Sequence, residues 1–240
     1  MIMKIPSSVR QAILIFNLIF SAVAYGHTSY PQKIKCPIDG KKFTIWVTGS
    51  YTTFNTLKDF QKQGAIGHMY ETLVNACPKC HYAGYKSDFD TVFSKSTKQE
   101  ILKILEPFKS SKLNDVLENE IAAKIYQYLN RDNDAIANLY LVASYLIKED
   151  SAQIDKRKEL QSNCASYFIK AIDAKEYPEA YSYATINYLI GELNRRIGDF
   201  QTAVTYFDRA IEDPNKRDWI LDVAIKQKEL AIANNDDNSL

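Results

Sequence analysis

"IGELNRRIGDFQTAVTYFDRAIEDP", residues 190–214, decides how most of this 240-residue chain is read. Ile186, Leu189, Ile190, Leu193 and Ile197 recur at helical spacing up to Gly198, a residue that takes the left-handed helix-ending conformation without steric cost. Phe200 opens a second helix, which runs through Ala203, Phe207 and Ala210 to Pro214. Gly191, Gly198, Ala203, Phe207 and Ala210 have the spacing of a tetratricopeptide repeat, where small and aromatic residues let two antiparallel helices pack closely. Asn194 stands at the usual aromatic position and Pro214 comes one residue early. One such pair cannot bury its own apolar face, so stacked neighbours are required.

The same period continues upstream. Leu117, Ile121, Ile125 and Tyr128 share a helical face, as do Ile136, Leu139, Tyr140, Ala143 and Ile147. Leu160, Cys164, Tyr167, Phe168, Ala171 and Ile172 form a third set, joined to the second by the charged stretch "KEDSAQIDKRKE". Residues 96–233 therefore read as a helical body and residues 234–240 as a flexible tail. The fold class is mainly α: a small β-rich head followed by a tetratricopeptide-like antiparallel helical array.

Residues 27–95 have a different character. "KKFTIWVTGSYTTF" (41–54) and "HMYETLVNAC" (68–77) read as strands, and "LKDFQKQGAIG" (57–67) between them as a surface loop or short helix. Each strand adjoins a cysteine-bearing turn, "CPIDG" from Cys36 and "CPKCH" from Cys77, in the layout of a zinc ribbon. Cys36, Cys77 and Cys80 are candidate metal ligands, and Asp39, three residues after Cys36, has the spacing to complete the set with a carboxylate oxygen. His81 is an alternative fourth ligand. Two other readings of the cysteines stay open. In an oxidising compartment Cys77 can pair with Cys80, or Cys36 with either of them, as a disulfide. CxxCH is also the attachment pattern of haem, with His27, His68 or Met69 as candidate second ligands. Cys164 reads as a small apolar residue in a helical core.

The order CPxx-GxxF, then CPxCxYAxxxxDF, then helices ending in "YLIGELNRRIGDFQTAVTYFDRAI" resembles a bacterial family of unknown function that joins a zinc-ribbon-like head to a tetratricopeptide-like tail. The likeness runs from about Lys35 to Ala231 and implies a metal-ligand role for Cys36, Cys77 and Cys80. The family pattern has a second cysteine where this chain has Asp39, and a glycine where it has His81. It is also found mostly in chains without an export signal.

Such a signal is read here at residues 1–26, where Lys4 and Arg10 precede the apolar run "AILIFNLIFSAVA" and small residues at Ala22, Ala24 and Gly26. The run is broken by Asn17 and Ser21 and is too short to span a bilayer, so the expectation is cleavage and a periplasmic or secreted protein without stable membrane insertion. Removing those two cations takes the formal net charge from +1 to −1, with no basic block, which argues against nucleic acid. No HExxH, nucleophile elbow or phosphate-binding glycine loop is present, and the chain has only three histidines. The expectation is a non-enzymatic adaptor with zinc or a disulfide in its head and a helical face that binds a protein or peptide. Sixteen tyrosines, many in the helices, suit packed helix pairs and interfaces alike. The competing classes are a redox or electron-transfer protein acting through Cys77 and Cys80, and a structural subunit of an envelope assembly.

Overall fold

A computed structural model of the chain describes residues 27–64 and 69–238; the leader read at residues 1–26 lies outside the described residues. Among the described residues the head consists of three two-stranded antiparallel sheets. β1 (His27–Lys35) pairs with β2 (Lys42–Tyr51), in a register that sets Lys35 opposite Lys42 and Pro31 opposite Trp46. Alternation along β2 turns Phe43 and Ile45 inward and leaves Lys42, Thr44 and Trp46 outward. β3 (Thr53–Thr56) pairs with β4 (Lys62–Gly64), and β5 (Val74–Ala76) with β6 (Ala83–Tyr85).

Two expectations for the head are corrected. The stretch 68–77 is a strand only at β5; Met69–Thr72 is a 3-10 turn that buries Tyr70 against Tyr145, with ring centroids 5.1 Å apart. Leu57 to Gln61, the link from β3 to β4, is neither surface loop nor helix. It is a hairpin turn with Phe60 in the left-handed region (φ 68°), and it carries Asp59 and Gln61 into the interior at 1% and 6% exposure. The pull comes from two cations on the helices: Lys148 Nζ and Arg196 Nη1 lie 2.8 and 2.9 Å from Asp59 Oδ2.

Seven helices follow among the described residues: α1 (Lys95–Leu105), α2 (Asp115–Tyr128), α3 (Asn133–Leu146), α4 (Ile154–Asp173), α5 (Ala180–Ile197), α6 (Phe200–Glu212) and α7 (Asp218–Ile232). Their ends are marked by the sequence. Ser94, Asn114 and Asp199 accept backbone N–H bonds at the starts of α1, α2 and α6, which satisfies donors that a helix leaves free. Gly198, at φ +92°, ends α5. From α2 onward each helix packs on the next in sequence. At the α5–α6 contact a Cβ added to Gly191 would stand 2.8 Å from the Phe207 ring, so glycine sets how closely the two helices approach.

The head and the helices share one core. A continuous cluster of buried side chains runs from Cys36, Val74 and Tyr82 through Ile101 and Ile121 to Leu160 and Leu193. Asp88, just after β6, accepts hydrogen bonds at 2.7 Å from both Tyr85 N and the Tyr126 hydroxyl on α2. α5 is central: residues 188–196 are all buried, including Glu192, Arg195 and Arg196. The tail expected to be flexible is held by these arginines as far as residue 238. Arg195 donates to the carbonyls of Asn235 and Asp237, and Arg196 to that of Asn238. Buried guanidinium groups need acceptors, and the returning backbone supplies them.

Candidate metal centre

The two cysteine turns are built alike. In the first, Cys36 N donates to Lys41 O at 2.8 Å and Gly40 N to Cys36 O at 3.0 Å. In the second, Cys77 N donates to Tyr82 O at 2.8 Å and His81 N to Cys77 O at 2.9 Å. Both turns pass through the left-handed region at the fifth residue, Gly40 at φ 74° and His81 at φ 64°. That explains the glycine of the family pattern at the second position: a residue with a Cβ is disfavoured there by about 1 kcal/mol. Proline after each cysteine fixes the entry to the turn.

Folded this way, the turns face each other and bring together the four residues that the sequence singled out. One ligand atom from each of Cys36, Asp39, Cys77 and Cys80 lies within 4.8 Å of all the others. Cys36 Sγ is 3.5 Å from Cys80 Sγ, and Cys77 Sγ is 3.7 and 3.8 Å from the Asp39 carboxylate oxygens. A tetrahedral ion with bonds of about 2.3 Å to sulfur has edges of about 3.8 Å between sulfurs, so the spacing fits one ion. The cysteines are 1%, 0% and 9% exposed in chain order, while Asp39 is half-buried. All four cysteines of the chain are buried, and no disulfide joins them in this structure.

The electrostatics ask for a cation. Hydrogen bonds with Cys36 and then Cys80 pull the Cys77 thiol well below the usual thiol range. The bond to Cys77 pushes Cys36 up to about 12, and the bond to Cys36 drives Cys80 far above the usual thiol range. Three sulfurs and a carboxyl group crowded this closely share protons among themselves, and a divalent ion in their midst would take the place of those protons. The four residues can hold a metal ion.

His81 is not brought to this group. Its Nδ1 lies 3.0 Å from the carbonyl oxygen of Phe108, and the ring is buried against the turn that follows α1. It fixes the second knuckle to the helical body and is not one of the clustered ligand atoms. Of the other haem-ligand candidates, His68 lies outside the described residues and Met69 starts the 3-10 turn. Cys164 is buried in α4 at 0% exposure, its thiol driven well up by burial.

Sequence reasoning missed the buried charges. Asp59, Lys148, Glu192 and Arg196 form one chain of ion pairs, with Arg196 Nε 2.6 Å from Glu192 Oε1 and Arg195 Nη2 2.9 Å from the same oxygen. Tyr145 and Tyr188 donate their hydroxyls to the carbonyls of Asp59 and Lys58. The signal was present in "GELNRR", where charges at i, i+3 and i+4 sit between apolar residues on both sides of the helix.

A relative from Borreliella burgdorferi (strain ATCC 35210 / DSM 4680 / CIP 102532 / B31), described as "Uncharacterized protein", is 22% identical over 195 residues, which cover 77% of this chain and 55% of the relative. The chain thus spans about half the length of the curated relative that it matches. No solved structure matches. Residues 29–231, which include both knuckles and all but the last residue of α7, match the family described as "Uncharacterized protein conserved in bacteria (DUF2225)", and the chain belongs to that family.

Proposed function

We propose that this chain is an exported protein-binding adaptor whose head is organised by one structural zinc ion on Cys36, Asp39, Cys77 and Cys80. The observation that carries the reading is the convergence of four ligand atoms from two like turns. Three sulfurs and one carboxylate oxygen with no further ligand suit a closed, four-coordinate zinc site, which contributes folding energy and no reaction. The tetratricopeptide-like helical array supplies the binding face. Its surface carries the exposed Tyr128, the half-buried Tyr167 under the Lys170 ammonium, and the exposed Arg209, whose guanidinium covers the buried Tyr206 ring; tyrosine and arginine are favoured at protein interfaces. Export is proposed from the charge and apolar order of residues 1–26. A redox role for Cys77 and Cys80 has less support, because Cys77 is fully buried and reactive thiolates are accessible ones.

The test is elemental analysis of the full chain purified from zinc-supplemented cells. One zinc per chain is expected, with affinity lowered about tenfold or more in Asp39→Ala and raised in Asp39→Cys. His81→Ala keeps its zinc. Metal-free protein, or Asp39→Ala with undiminished affinity, overturns the zinc assignment.

A further inference from the structure

The whole-chain charge hides a segregation. Residues 27–95 hold nine lysines against five carboxylates, whereas residues 96–240 hold 19 cations against 24 carboxylates. Three of the five head carboxylates are taken up inside: Asp39 in the cysteine cluster, Asp59 and Asp88 buried in ion pairs and hydrogen bonds. All nine lysines are exposed, and none pairs with a carboxylate among the described residues. The head surface is therefore strongly cationic.

Four of these lysines surround one cleft. Lys33, Lys35, Lys42 and Lys86 line a hollow of about 590 Å³ between the base of the β1–β2 hairpin and the turn after β6, with Ile34 and Phe43 also in its wall. Asp90 is the single carboxylate in it. The register places Lys33, Lys35, Lys42 and the exposed Trp46 on one face of the hairpin. β1 pairs with β2 on one side, and its other edge has no strand partner among the described residues, while residues 32–35 line the cleft.

We propose that this cleft binds an extended acidic segment of a partner protein, which adds along the free edge of β1 and sets its carboxylates among the four lysines. A free strand edge recognises peptide backbone, and alternate side chains of the added strand then meet the lysine face. A lipid surface is flat and does not enter a concave cleft. Single-stranded nucleic acid binds through several aromatic platforms in series, and the lysine face carries one, Trp46. The proposal concerns a different surface from the helical face and does not depend on the metal.

The test uses the full-length mature protein and a fluorescein-labelled ten-residue peptide of alternating glutamate and valine, read by fluorescence anisotropy. Binding is expected to weaken on the order of tenfold in Lys33→Glu/Lys42→Glu, and again between 50 and 500 mM salt as screening shortens. Lys226→Glu, an exposed cation on α7, leaves it unchanged. The milder Lys33→Gln/Lys42→Gln separates loss of charge from any loss of fold, with circular dichroism as the check. No binding by the unaltered protein, or binding by both double variants as tight as that of the unaltered protein, overturns the proposal. So does lysine-dependent uptake of phosphatidylglycerol vesicles or of oligo-dT, or lysine-dependent self-association in sedimentation, where the peptide does not bind.

Discussion

Replacing Asp59 with asparagine keeps the shape and an acceptor oxygen but deletes the charge that holds Lys148 and Arg196 inside the molecule. The two cations lie 2.8 and 2.9 Å from the same oxygen, and their side chains are 4% and 1% exposed. At an effective dielectric of about 20, each attraction is worth roughly 6 kcal/mol. Desolvation and the mutual repulsion of the two cations offset most of that. Removing one partner from a buried pair costs about 3–5 kcal/mol, because the other charge is left behind. Arg196 keeps Glu192 at 2.6 Å, so the deficit falls on Lys148 and the lower end, about 3 kcal/mol, is expected. With a urea slope of about 3 kcal/mol/M, the unfolding midpoint should fall by about 1 M. The variant should also acquire a pH dependence. Burial already lowers the Lys148 ammonium below the usual lysine range, and without Asp59 it falls further. A lysine whose folded value is depressed destabilises the fold below that value and is relieved as pH rises toward the unfolded value, so Asp59→Asn should regain stability on the alkaline side. Adding Lys148→Met should recover much of the loss at neutral pH. An Asp59→Asn midpoint equal to that of the parent protein would refute the assignment of a buried, charge-dependent link.

Gly191→Leu should cost about 1–3 kcal/mol by overpacking, since even a Cβ meets Phe207 at 2.8 Å; thermal melting checks this, and an unchanged melting temperature would show that α5 and α6 part freely. Glu118 is raised to about 7 by burial and by Asp115. The folded state then keeps a proton that the unfolded state has lost, so its contribution is fully present below about pH 4.5 and disappears as pH rises to about 7, amounting to at most about 3 kcal/mol. Urea midpoints measured across that window should fall with pH in the parent chain and fall less in Glu118→Gln.

Periodicity and punctuation made the helical body legible. Gly198 ends α5 where glycine after an apolar run says it should, and Asp199 caps the helix that follows. The cluster of Cys36, Asp39, Cys77 and Cys80 was legible too, because each residue lies in a local turn whose spacing is written in the chain. Asp59 was not. Nothing local distinguishes "LKDFQKQG" from a surface loop, and its burial depends on Lys148 and Arg196, far along the chain. The contacts of residues 235–238 were hidden for the same reason: "NNDDN" is polar, and its backbone carbonyls meet two arginines on another helix. The cationic head escaped notice because summing charge over the whole chain cancels it against the acidic body.

Arg196 answers to acceptors on both sides of it in the chain, Asp59, 137 positions earlier, and the carbonyl of Asn238, 42 positions later. One side chain on the central helix thus ties the β3–β4 turn to the last described residues, and a chain cut short before Asn235 would leave the buried guanidinium groups of Arg195 and Arg196 without three of their carbonyl acceptors.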